Sequence, residues 1–160
     1  MKFHDLLKPE AVKVLGAVSS KKRLMHDIAE LAEAALAVAA KDISNGGVLG
    51  TLIMMLELTG CGASVDLDAL PRPDSSLHDG DLLRWLRAFQ SFGFLLAVEP
   101  SRAGALEQKM AGSHIACQSI GEINNTGQIS LGYQGQQDCF WDLNKDALTR
   151  MGTHNAGSQL

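Results

Sequence analysis

Apolar residues fall into several distinct patterns along the chain, and each predicts its own element. Leu24, Ile28, Leu31 and Ala35 recur at intervals of four, three and four, with Lys, Arg, Asp and Glu between them. That is the stripe of an amphipathic helix. Leu36 to Ala40 is a short apolar run closed by Lys41-Asp42. It suits a strand buried on both faces, the alternative being that the preceding helix continues to Ala40. Val48 to Leu58 is apolar at almost every position, so a helix there must lie between other layers. Gly60 is placed to end it with a left-handed cap. Ala63 to Asp68 alternates as a strand does. Leu82, Leu83, Leu86 and Phe89 form the core side of a helix opened by Asp79 or Asp81. Phe92 to Val98 is the continuous run of a central strand; Pro100 stops it, and Ser101 caps a helix to about Met110.

The two ends of the chain are less regular. Residues 1–20 carry Phe3, Leu6, Leu7, Val12, Val14 and Leu15, interrupted by Pro9 and followed by Gly16, and read as a lead-in segment that is strand-like from Val12 to Val18. Residues 21–150 are the expected folded domain. Within it, Pro71 to Ser76 is a surface loop, and Ile115–Ile123 and Gln128–Tyr133 are two strands joined as a hairpin by Asn124-Asn125-Thr126-Gly127. Residues 151–160 lack an apolar stripe and are expected to be a disordered tail. The predicted class is α+β: a mixed β-sheet with helices packed on one face and a C-terminal hairpin.

Composition narrows the function. With 160 residues, 46% hydrophobic and 20% charged, the chain suits one domain that needs no disulfide or metal staple. A net charge of −4 argues against a nucleic-acid surface. No apolar run reaches the ~18 residues of a membrane span, and Lys2, Asp5 and Glu10 do not read as a signal peptide, so the expected location is cytoplasmic. Cys61, Cys117 and Cys139 are widely spaced without a CxxC. His4, His26, His78, His114 and His154 show no i, i+4 pair, so no metal site is expected.

One loop could carry chemistry. Asp42-Ile43-Ser44-Asn45-Gly46-Gly47 joins a predicted buried strand to a predicted buried helix. The N–H groups and positive dipole end of such a helix favour a phosphate or carboxylate, and two glycines let a ligand approach the backbone. Asp42 could hold a metal or a hydroxyl, and Ser44 or Asn45 could bond a ligand or cap the helix. The same residues also fit a purely structural role, with Ser44 or Asn45 as an ordinary N-cap and the glycines admitting tight packing. Trp85 is either a partly exposed structural residue or the mark of a domain contact. Arg72 could reach an anion from the Pro loop or lie in solvent.

These residues resemble a known family. Ala39-Ala40-Lys41-Asp42-Ile43-Ser44-Asn45-Gly46-Gly47-Val48-Leu49-Gly50-Thr51-Leu52 looks like the glycine loop and helix of the AIR synthase (PurM-like) C-terminal domain. Gly60 to Leu67, Ser91 to Val98 and Ser119 to Ile123 resemble its later segments in the same order. The resemblance is nearest to AIR-synthase-related proteins of uncharacterised role and implies ATP-dependent phosphoryl-transfer chemistry. It implies that Asp42, Ser44, Asn45, Gly46 and Gly47 face a phosphate-bearing ligand. Many relatives carry Asp where this chain has Asn45, which removes a charge that could bind magnesium or act as a base. In such relatives an N-terminal domain supplies most ATP and magnesium ligands, and only about twenty residues precede the first C-domain helix here. The expectation is therefore a ligand-facing domain without a cofactor or catalytic residues of its own. It would be inactive alone, partnered by an N-terminal domain in cis or in trans or by self-association. The alternative is a non-catalytic binding, regulatory or dimerisation module.

Overall fold

Successive residues of a strand point to opposite faces of its sheet, and the run Gly93–Val98 shows what that means here. Leu95 and Ala97 enter one apolar cluster, while Leu96 and Val98 enter another. A strand apolar on both sides needs cover on both sides, and it has it.

The computed structural model describes residues 13–18, 37–72, 79–87 and 93–149. In chain order the elements are β1 (Lys13–Val18), β2 (Ala39–Asp42), α1 (Gly47–Glu57), β3 (Gly62–Asp66) and α2 (Asp79–Arg87). There follow β4 (Gly93–Val98), α3 (Pro100–Gly112), β5 (Ala116–Asn124), β6 (Gln128–Tyr133) and β7 (Gln136–Asp142). The strands form a seven-stranded sheet in the order β2-β4-β1-β5-β3-β6-β7. It is mixed, because β3 and β6 run parallel while the other neighbours are antiparallel. The helix expected from Lys21 to Ala35 and the tail from Met151 lie outside the described residues.

The α+β class and the mixed sheet agree with the sequence. The helices, however, occupy both faces rather than one. Leu52, Ile53 and Leu56 of α1 and Leu82 and Leu86 of α2 pack with Ala63, Val65 and Leu95. Ala103, Leu106 and Met110 of α3 pack with Leu96 and Val98 on the other side. A bulge serves the same division. Val14 pairs with Gly121 and Leu15 with Ser119, leaving Ile120 as the extra residue. Ile120 and Ile123 consequently both enter the α1–α2 core, which unbroken alternation would forbid. Beside the bulge, the Ser119 N–H donates to Glu107 Oε1 at 2.7 Å.

Several expectations need correction. The strand-like stretch near Val18 is present, as β1, and it is hydrogen-bonded between β4 and β5 rather than lying ahead of the sheet. The run at Leu36–Ala40 is not a doubly buried strand: β2 has only β4 beside it, and its residues alternate between half-buried and exposed. Leu83 does not join the core side of α2; it is 60% exposed. Pro100 begins α3 at a first-turn position, where its missing N–H costs nothing, and Glu99 rather than Ser101 is the N-cap residue.

The Asn124–Gly127 connection does not close a hairpin. β3 lies between β5 and β6, starting beneath the connection at Gly62, where a Cβ would stand 2.3 Å from the Gln128 carbonyl oxygen. The missing side chain lets β3 begin there. The actual hairpin is β6–β7, turned by Gln134 and Gly135 at φ 49° and 77°, as two-residue hairpin loops favour.

α3 ends in a Schellman motif. The Ile115 N–H donates to the Met110 carbonyl and the His114 N–H to that of Ala111, with His114 at φ 58°. Ile115 and Met110 supply the accompanying apolar contact. Histidine pays a steric cost there that glycine does not. Replacing His114 by Gly is expected to stabilise the fold by about 1 kcal/mol, read as a higher urea midpoint with an unchanged m-value.

Candidate functional site

The glycine loop leaves β2 at one end of the sheet. The Ile43 N–H donates to the Gly93 carbonyl at 2.8 Å, and the Ile43 side chain is buried in the core. The next backbone group is held by α1 itself: the Ser44 N–H donates to Thr51 Oγ1 at 3.2 Å, and Thr51 is buried. The Gly47 N–H donates back to the Ser44 carbonyl at 2.8 Å, and the Gly50 N–H to the Gly46 carbonyl at 3.1 Å. Those bonds close the loop into a turn that delivers the chain into the helix.

Gly46 is the N-cap, with no side-chain capping bond. The expected capping role of Ser44 or Asn45 is therefore not what begins α1. The N–H groups of Val48 and Leu49 are the remaining donors of the first turn, and no acceptor for them is present among the described residues.

Gly47 has a structural reason of its own. Its φ is +64°, and a Cβ would fall 2.0 Å from the Leu86 carbonyl oxygen and 3.1 Å from Arg87 Cα. The C-terminal end of α2 thus sits directly on the first turn of α1. Tight packing was one role read for the glycines, although the contact is with a helix. Asp42, Asn45 and Gly46 are exposed, Ser44 is half-buried, and Gly47 is buried. The outer rim of the loop thus presents a carboxylate, an amide and a bare stretch of backbone.

The other candidates separate cleanly. Cys61 is buried. Trp85 is a half-buried structural residue whose Nε1–H donates to the Pro71 carbonyl at 3.2 Å. Burial, and after it the Glu107 carboxylate, pushes the Cys117 thiol up to about 12, so it stays protonated at neutral pH. Of the histidines only His114 lies among the described residues, where it serves the α3 terminus. No group of three or more His, Cys, Asp or Glu side chains among the described residues is placed to hold a metal ion. No helix among them is long and apolar enough to cross a membrane.

A concavity elsewhere in the domain had no signature in the sequence. A groove of about 470 Å³ opens between the segment after β3, with Asp68 and Arg72, and the α3–β5 junction, with Cys117 and Gln118. Arg72 alone was singled out as able to reach an anion. Its companions come from a distant part of the chain, and only the sheet register brings them together.

Fold and loop together define an α+β domain whose glycine loop lies at one end of a mixed sheet. The family model described as AIR synthase related protein, C-terminal domain, matches residues 2–134, and the chain belongs to that family. An uncharacterized protein of Synechocystis sp. is 36% identical over 119 residues, which cover 74% of this chain and 36% of that protein. The thiamine-monophosphate kinase of Salmonella typhimurium is 32% identical over 93 residues, covering 56% of this chain and 28% of the kinase. Among solved structures, Thermotoga maritima PurL complexed with ATP superposes with a TM-score of 0.74 at 15% identity, over 84% of this chain and 25% of PurL. The match therefore spans only 36% and 28% of these two curated relatives' length, and the PurL likeness is one of fold.

Proposed function

We propose that this chain is the ligand-facing, C-terminal domain of an ATP-dependent protein, and that the Asp42–Gly47 loop receives a phosphate-bearing small molecule. The observation that carries this reading is the loop's placement. An open rim of Asp42, Asn45 and Gly46 stands before a helix start where the Val48 and Leu49 N–H groups lack an acceptor among the described residues. Those donors and the positive end of the α1 dipole suit a phosphate oxygen. The Asn45 amide and the Ser44 hydroxyl can add hydrogen bonds to the same group. The Asp42 carboxylate would repel a bare phosphate, so it is better suited to a substrate hydroxyl or to a cation that the phosphate already carries.

ATP and magnesium enter through the relatives. Magnesium is commonly held by one or two carboxylates together with phosphate oxygens. Asp42 could supply one such ligand, so these residues fit one contribution to a metal–nucleotide site rather than the whole of it. Phosphoryl transfer needs positioning and charge neutralisation from several directions at once. The rest of the site would come from an N-terminal AIR-synthase-like domain in cis or in trans, and the domain is read as inactive without it. This chain's part would be to bind and orient the phosphate-bearing group and to exclude water on its side.

Thermal unfolding with millimolar phosphate, or with ATP and magnesium, tests the loop. A ligand at 100 times its dissociation constant should stabilise the folded state by about 2.7 kcal/mol. Asn45→Ala should abolish the shift with either ligand, and Asp42→Ala the shift with ATP and magnesium; both side chains are exposed, and their loss should leave the fold intact. Absence of any ligand-dependent shift, or an equal shift in both variants, would remove the loop from consideration and favour a module that binds a protein instead.

A further inference from the structure

The groove beside Arg72 exists because β5 is longer than its partner on one side. β1 pairs with β5 from Ala116 onward, whereas β3 joins it only from Gly121. After Asp66 the chain turns away, with the Leu67 N–H on the Gly132 carbonyl and the Leu70 N–H on that of Leu67. The first residues of β5 are thereby left with one edge facing a cavity of about 470 Å³. That size lies in the range of small-molecule sites. Both walls are anchored: the Trp85 indole holds the Pro71 carbonyl, and the Schellman bonds fix the turn into β5.

The chemistry of the lining points to an anion. Arg72 is half-buried and has no hydrogen-bond or ion-pair partner among the described residues. A guanidinium offers a fork of five donors matched to two oxygens of a carboxylate or phosphate. Shielding one from water without such a partner is unfavourable. Among the described lining residues the one acid, Asp68, already accepts the Gln134 N–H at 2.7 Å. Gln118 adds an exposed amide, and the Cys117 thiol remains neutral. Leu70 and Ile115 supply apolar surface between these polar groups.

We propose that this groove is a binding site for a small organic anion, a phosphate or carboxylate on a compact apolar body, held through Arg72 and Gln118. The site is separate from the glycine loop and does not depend on it. Asp42 ends β2 and Ala116 begins β5 at the same end of the sheet, since Asp42 pairs with Phe94, Phe94 with Ala17, and Ala17 with Cys117. Three strand spacings between β2 and β5 correspond to about 14 Å. α2 connects the two places, with Trp85 on Pro71 and the adjacent Leu86 carbonyl on Gly47.

The test is a ¹H–¹⁵N titration of the full 160-residue chain with phenyl phosphate, with benzoate, and with inorganic phosphate as the head group alone. Saturable shifts are expected at the Arg72, Cys117 and Gln118 amides with at least one of the two aromatic anions, and which one responds identifies the head group. Affinity should fall tenfold or more in Arg72→Gln, recover in part in Arg72→Lys, and stay unchanged in Asn45→Ala. Groove shifts that persist unweakened in Arg72→Gln would overturn the proposal. So would shifts confined to residues 43–48, which would support the glycine loop alone, or no saturable shift with either aromatic anion.

Discussion

Gly47→Ala is expected to destabilise the fold by about 3–4 kcal/mol, combining the steric cost of a left-handed non-glycine residue with overpacking against backbone. The overpacking term is the larger because the obstacle cannot swing aside. The Leu86 carbonyl oxygen lies 2.0 Å from the position of the new Cβ, and it belongs to the main chain of α2. Either α2 shifts away from α1 or the entry into α1 is remade, and both outcomes disturb Leu82 and Leu86 in the core. Gly60→Ala is the matched control. Gly60 has nearly the same φ, +68°, with open space where the Cβ would go, so it should lose only about 1 kcal/mol. Urea unfolding of the two variants separates conformation from contact. Equal losses would mean that the α2 contact contributes nothing. This also determines how the glycine loop can be probed: a Gly47 variant that no longer binds ligand says little about binding, whereas Asp42 and Asn45 can be changed without touching α2.

The second large effect is expected in the core, at Leu95 and Leu106. Both are fully buried, on opposite faces of the sheet, one toward α1 and α2 and the other on α3. Truncating either to alanine should cost about 3 kcal/mol from lost burial and the cavity left behind. Because they belong to separate clusters, the double variant should lose close to the sum. Leu83→Ala, on the exposed side of α2, should change stability by no more than about 0.5 kcal/mol. A small loss at Leu106 would mean that α3 is a loosely held cover rather than half of the core.

Much of this was legible in the residues. The run through Phe94–Val98, the apolar helix after Gly47, the left-handed Gly60 and the alternation at Ala63–Asp66 all report local burial, and local burial is what periodicity encodes. Strand partnership is not encoded locally. Asn124–Gly127 has the chemistry of a tight turn, but whether the chain folds back or steps over a third strand depends on Gly62, far earlier in the sequence. β7 was missed because Gln136-Gln137-Asp138 is polar, as an exposed edge strand can be, and its turn uses Gln134 where Asn would have given the signal. The helix faces were misjudged because a run apolar at every position does not state which helix covers which side. At the candidate site, the residues and the strand–loop–helix setting were readable from Asp42 to Gly47. The α2 backbone pressed on Gly47 was not, and neither was the meeting of Arg72 with Gln118.

The position of β1 bears on how the chain reaches this state. β1 stands near the middle of the sheet, yet Lys13 pairs with Val98 on one side and Glu122 on the other. An early segment must therefore wait for much later ones before it gains any ladder partner, and loop-closure entropy is lost before those contacts repay it. On a ribosome the first strand would emerge long before either neighbour. Folding should accordingly be slow for a domain of this length. Its rate-limiting step should be the insertion of β1 between β4 and β5, with α1 and α2 able to collapse beforehand on β3.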